Sequence, residues 1–268
     1  MSTAVNAVPA AKVETGILAG TRTLLYKEVL RFWKVAFQTV AAPVISALLF
    51  LLVFAHALSG RVEAFPGVTY TQFLVPGLAM MAMLQNAFAN SSSSLIQSKL
   101  TGNIVFILLP PLAHGEIFAA YLLAAIVRAL AVGAGVFAAA LWLVPVPMER
   151  PLWTLAFALV GSGMCGVLGI IAGIWAEKFD QLAAFQNFLV TPLTFLAGVF
   201  YSVHSLPPFW QAASHLNPFF YAIDGFRYGF FAQSDVAPGT SLAIATAAFA
   251  ALSFITLQLL RSGYKLRH

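Results

Sequence analysis

Six apolar windows, uncharged except for a single arginine, alternate along this chain with short polar or basic segments. They fall at about 36–58, 72–94, 117–144, 151–175, 182–203 and 237–260. Roughly 20 apolar residues carry a helix across the hydrocarbon core of a bilayer, so each window predicts a transmembrane helix. The first contains Pro43, and the second is less apolar, carrying Gln85, Asn86, Asn90 and the run Ser91 to Ser94. The third is interrupted by Arg128, and the fourth is rich in glycine.

The fifth window opens a longer anomaly. From Gln181 to Ile223 the chain runs 43 residues without an Asp, Glu, Lys or Arg, too long for one span. Pro207-Pro208 and Asn217-Pro218 break it, because a proline lacks the N–H that a helix interior needs. The pattern predicts one full span, then a broken segment at 204–231 that dips into the membrane and returns. Irregular backbone at that depth survives only where protein or a water-filled cavity surrounds it.

A different pattern occupies 12–34. On a helix, Leu18, Leu25, Val29, Phe32 and Trp33 fall on one side, with Lys27, Arg31 and Lys34 nearly opposite. Such a helix lies in the interface plane, as a surface anchor, a docking element for a cytoplasmic partner, or both.

Composition agrees with membrane residence. The 268 residues are 60% hydrophobic and only 9% charged, against about 25% charged in a soluble domain. No room is left for a soluble catalytic domain. Met1 to Ala11 has no basic residue before Lys12 and no apolar core of its own, so no cleavable leader is expected. The lone Cys165 excludes an intrachain disulfide and cysteine-based metal chemistry. The net charge of +5 reads as topology rather than nucleic-acid binding. With six spans, ten Lys and Arg residues face one side and three (Arg61, Arg150 and Arg227) the other, which predicts both termini in the cytoplasm. The broken segment then enters from the outer face.

Candidate functional residues are few. Leu100 to Leu112 (LTGNIVFILLPPL) joins the second and third windows on the cytoplasmic side. It reads as a re-entrant turn or as a short helix that inserts into a partner's groove. Arg128 lies 12 residues beyond Glu116, about 18 Å along the helix and near mid-membrane. A charge there is costly and needs a partner; Asp224 is one choice, and a pairing that locks helices is the structural alternative. Asp224 and Arg227 share a helix face and either pair or line the outer mouth of a path. Gly169 and Gly173 make a small-xxx-small pair for close helix packing.

There is no G-x-x-x-x-G-K-[ST], H-E-x-x-H or G-x-S-x-G pattern, and the five histidines lack ligand spacing. No catalytic, metal or cofactor residue is therefore assigned. An ATPase-independent secondary transporter or channel would need intramembrane acidic residues, and the spans offer none at mid-depth. A lipid-acting enzyme would need a polar cluster near one interface. A membrane scaffold is the third rival class.

Four segments carry a family resemblance: Phe73–Leu78 (FLVPGL), Leu193–Ser202 (LTFLAGVFYS), Leu206–Trp210 (LPPFW) and Leu216–Gly229 (LNPFFYAIDGFRYG). In this order, on a six-span frame, the chain resembles the membrane subunit of bacterial ABC-2 type transporters, which export drugs, polysaccharides and nodulation factors. The resemblance implies an all-α integral membrane fold, one transmembrane domain over 1–268. It would have an N-terminal interface helix, six spans, and a re-entrant outer hairpin between helices five and six. It implies a homodimer in the bacterial inner membrane, each copy bound to a separate ABC ATPase subunit. That partner would hold ATP and Mg, so this chain binds no cofactor itself. The loop between spans two and three becomes the coupling helix, with Gly102, Asn103, Phe106, Pro110 and Pro111 as contact candidates. Many relatives place acidic residues shortly after the Asn that matches Asn103. Val105 and Phe106 stand here instead, which favours an apolar plug into the ATPase. Arg128, Asn217, Pro218, Asp224 and Arg227 become intramembrane or outer-gate candidates. ATP-driven closure of the partner would open a path lined by spans one, two and five. Membrane lipid surrounds it, and the aromatic-rich spans suit an amphipathic or lipid-linked cargo.

Overall fold

A computed structural model describes residues 19–58, 65–109 and 112–265, and apart from one β-bridge, Phe65 to Val68, their regular structure is helical. Residues 12–18 of the expected interface helix, Pro110, Pro111, and the topology residues Lys12, Arg61 and Arg267 lie outside the described residues.

Helix α1 (Ala19–Trp33) meets α2 (Ala36–Leu58) at a short elbow. α3 (Tyr70–Leu100) starts at a capping box, in which Thr69 Oγ1 accepts from the Gln72 backbone N–H and Gln72 Oε1 accepts from the Thr69 N–H. That exchange satisfies two of the donors a helix start leaves unpaired. α3 runs well past the window that hydropathy marks for it. Ser91, Ser92, Ser94 and Ser98 in its second half are buried against other helices rather than exposed to lipid.

The short α4 (Ile104–Leu108) leads to α5 (His114–Leu141), whose first turn is closed by Glu116 Oε2 accepting from the Ala113 N–H at 2.8 Å. α6 (Pro151–Trp175) begins on a proline, which fits the first helical turn. Its glycines allow a close backbone approach to α3. A Cβ on Gly169 would collide with the Phe88 carbonyl of α3, and one on Gly173 would stand 2.8 Å from Leu95 Cβ. The glycine stripe is packing surface, as small-residue spacing suggests.

The fifth window differs most from expectation. α7 (Phe179–Phe185), a π-helical turn (Gln186–Val190) and α8 (Thr191–Phe195) replace one continuous helix, and the helical path ends at Phe195. Pro192 has no N–H for the carbonyl four residues back. Ahead of it the turn widens, and the Thr191 N–H reaches Gln186 O. After Phe195 the chain turns at Gly198, which takes φ +76°.

Next come a 3-10 turn (Val203–Ser205), α9 (Pro208–His215), α10 (Pro218–Phe231) and α11 (Pro238–Ser262). The two proline sites that break the sequence run are the starts of α9 and α10. α10 lies on α6, with Gly225 against the Phe157 ring and Gly229 against Thr154. Among the described residues five helices, α2, α3, α5, α6 and α11, are long and apolar enough to cross a membrane. α3 is the most buried of these, while α2 and α11 are largely uncovered.

Candidate functional site

Three places gather the candidate residues, and the first is the turn between α3 and α5. α3 ends at Thr101, and Gly102 takes φ +71°, a left-handed conformation that glycine adopts without strain. Asn103 stands at the start of α4 without a side-chain capping bond. α4 points Ile107 inward and leaves Val105, Phe106 and Leu109 exposed, Phe106 at 72%.

The second place is a groove of about 380 Å³ between α2, α3 and α8. Pro43, Phe50, Met81 and Phe195 make it mainly apolar, and Ser46, Gln85, Asn86 and Thr191 place a polar stripe in it. Asn86 is held from behind, its Oδ1 accepting from Arg128 Nη2 at 3.1 Å. Arg128 does not pair with Asp224: the guanidinium is turned to α3, and the Asp224 carboxylate is used elsewhere.

One helical turn along α3 from Asn86, Asn90 accepts two bonds from Arg31 Nη2, at its backbone oxygen (2.8 Å) and at Oδ1 (3.1 Å). Arg31 also pairs with Glu28 at 3.2 Å, and Glu28 is fully buried. The inward stripe of α1 is therefore Leu24, Glu28 and Phe32, with Trp33 exposed. Arg31 joins that inward side and does not stand on a solvated basic face.

The third place lies around α10 and the loop before α11. Asn217 caps α10, its Oδ1 accepting from the Phe219 N–H at 3.0 Å, while its Nδ2 donates to Leu193 O at 2.6 Å. Pro218 follows as the first residue of the helix. Asp224 and Arg227 share a face yet form no direct ion pair, because each is taken up by backbone of a different loop. Asp224 accepts from the N–H groups of Asp235 (2.8 Å) and Val236 (3.1 Å). Arg227, 1% exposed, donates to Gly198 O at 2.9 Å and lies 3.7 Å over the Phe73 ring. Asp235, which the sequence did not single out, accepts from Ser202 Oγ (2.6 Å) and the Val203 N–H (2.7 Å). Two carboxylates in series thus tie the loop before α11 to α10 and to the segment after α8.

The sequence matches the family described as ABC-2 type transporter over residues 19–231. The inner membrane transport permease YadH of Escherichia coli is 36% identical over 246 residues, covering 92% of this chain and 96% of that protein. The nodulation protein J of Sinorhizobium fredii is 29% identical over 177 residues, 64% of each chain. That of Rhizobium meliloti is 25% identical over 196 residues, 72% of this chain and 74% of the relative.

Proposed function

Because the chain belongs to the ABC-2 type transporter family, whose members are membrane-embedded transport permeases, we propose that it is the membrane half of an exporter driven by a separate ATPase subunit. The observation that carries this reading is α4. A five-residue helix is too short to hold itself together, yet here it presents Phe106 and its neighbours Val105 and Leu109 outward at the turn between α3 and α5. We read this as the coupling helix, an apolar plug for the ATPase, with Gly102 and Asn103 setting its entry angle. ATP and Mg bind on the partner.

In the same reading α1 is the interface helix and both termini are cytoplasmic. The α7-to-Ser202 segment completes a sixth crossing, and α9 with α10 forms the re-entrant outer hairpin. A relative called an inner membrane permease supports placement in the inner membrane. The groove between α2, α3 and α8 is one wall of the path, and a second copy of the chain supplies the other. Its apolar and aromatic walls with one polar stripe suit an amphipathic or lipid-linked cargo. Partner closure, transmitted through α4 and α1, moves the two halves and opens the path past the Asp224–Asp235 clasp.

A tagged chain is expected to co-purify with an ATPase subunit. F106E is expected to lower the retained ATPase and the ATP-driven transport at least about tenfold, since burying an unpaired charge in an apolar groove costs several kcal/mol. Its membrane level should stay unchanged. A chain that never retains an ATPase, or an F106E variant that retains it fully, would sink the proposal.

A further inference from the structure

Arg128 is a cation without a counter-charge. Of its guanidinium nitrogens, Nη2 bonds to Asn86, while Nε is buried and has no acceptor. Among the described residues no carboxylate pairs with it, and the charged side chain that acts on it is another cation, Arg31. The carboxylate of Glu28 is already shared by Lys27 and Arg31. Asn86 and Asn90 lie four residues apart, so the two guanidiniums grip α3 at side chains about 6 Å apart along its axis. The Asn90 Nδ2 is a further buried donor without an acceptor. The buried side-chain nitrogens left unsatisfied at this place, Arg128 Nε and Asn90 Nδ2, are both donors, and the net charge of Arg128, Arg31, Lys27 and Glu28 is positive. The missing partner is therefore an anion with several acceptor oxygens, such as a phosphate.

Depth identifies where the anion comes from. α1 is amphipathic and exposes Tyr26 and Trp33, the aromatic type that settles at headgroup level. Arg31 ties α1 to the level of Asn90, and Arg128 acts one turn deeper. α5 has 28 residues, about 42 Å, against a hydrocarbon core of about 30 Å. Gly135, seven residues beyond Arg128 on α5, faces Val40 and Val44 near the start of α2, so Arg128 stands near the level at which that span begins and the overshoot of α5 lies on this side.

We propose that Arg128, Arg31, Asn86 and Asn90 bind the phosphate of a lipid in the inner leaflet, beside the mouth of the α2–α3–α8 groove. This rests on the reading that α1 faces the cytoplasm. It does not rest on ATP coupling, and no ATPase is needed to test it.

The test is thermal melting of the purified permease in non-ionic detergent, followed by tryptophan fluorescence. Dioctanoyl phosphatidic acid is expected to raise the melting temperature saturably, and dioctanoylglycerol, which differs only by the phosphate, is not. R128M is expected to melt no lower than wild type without lipid, because it removes an uncompensated charge, and to need about tenfold more phosphatidic acid, a loss of about 1.4 kcal/mol. R128K keeps the charge but not the planar fork, and a severalfold weaker response is expected. Inorganic phosphate that matches the lipid's potency would assign the site to a free anion; no response to it assigns the site to the lipid. Equal responses to the two dioctanoyl lipids would overturn the proposal. So would R128M and R128K variants that respond as wild type does.

Discussion

Valine at Gly169 is expected to leave almost no folded protein in the membrane. A Cβ there collides with the Phe88 carbonyl and lies 3.1 Å from two further backbone atoms of that residue. Backbone in mid-helix cannot swing aside as a flexible side chain does, so α3 and α6 must separate along their length. Overpacking costs about 1–3 kcal/mol where side chains can adjust, and this contact lacks that route. Separation also loosens the neighbouring close approach at Gly173. The expected result is at least a tenfold lower yield of monodisperse protein by fluorescence-detected size exclusion. Gly239→Ala in α11, where a Cβ meets nothing within 4 Å, should leave the yield unchanged. A G169V variant with wild-type yield and melting temperature would contradict the packing described here.

The second large effect is expected at Arg227. Its guanidinium is buried, bonds to Gly198 O at 2.9 Å, and covers the Phe73 ring. Hydrogen bonds to charged groups contribute about 1.5–3 kcal/mol, and a desolvated cation–π contact about 2 kcal/mol. R227A removes both and leaves a buried carbonyl without its donor and Asp224 without its nearest cation. A loss of roughly 3–5 kcal/mol follows, a fall in melting temperature of about 10 °C for a chain of this size. R227K is expected to rescue less than half, since an ammonium cannot lie flat on the ring and reach the carbonyl together. Melting temperatures of R227A within 2 °C of wild type would remove Arg227 as the pin that holds α10 to the turn at Gly198.

How far the sequence revealed this depended on what surrounds each segment. α2 and α6 occupy the uncharged windows 36–58 and 151–175 residue for residue, because a charge or a proline punctuates their ends. Hydropathy truncated α3 by six residues at its C-terminal end, since its serines face other helices. The break at Gln186–Val190 was signalled only by Pro192, within a run whose apolar character otherwise continues.

The candidate site was legible residue by residue but not as pairs. Arg128, Asp224 and Arg227 were conspicuous as charges in apolar sequence. Their partners turned out to be an asparagine and backbone groups, which composition cannot reveal. Glu28 was missed because a helical wheel assigns charges to the solvated face. Only its spacing of three from Arg31 hinted at the buried pair. Asp235 sits in a short polar loop, and its role appears only when the fold brings Ser202 and Val203 beside it.

The burial of α3 also bears on how the protein is made. It is the least hydropathic of the five candidate spans and the most enclosed, so its amides and hydroxyls are solvated by other helices instead of by lipid. α5 and α6, which supply that cover, are synthesised after it. During biogenesis α3 is therefore expected to wait for the later helices, so that integration of the central helix depends on the assembled bundle rather than on its own segment.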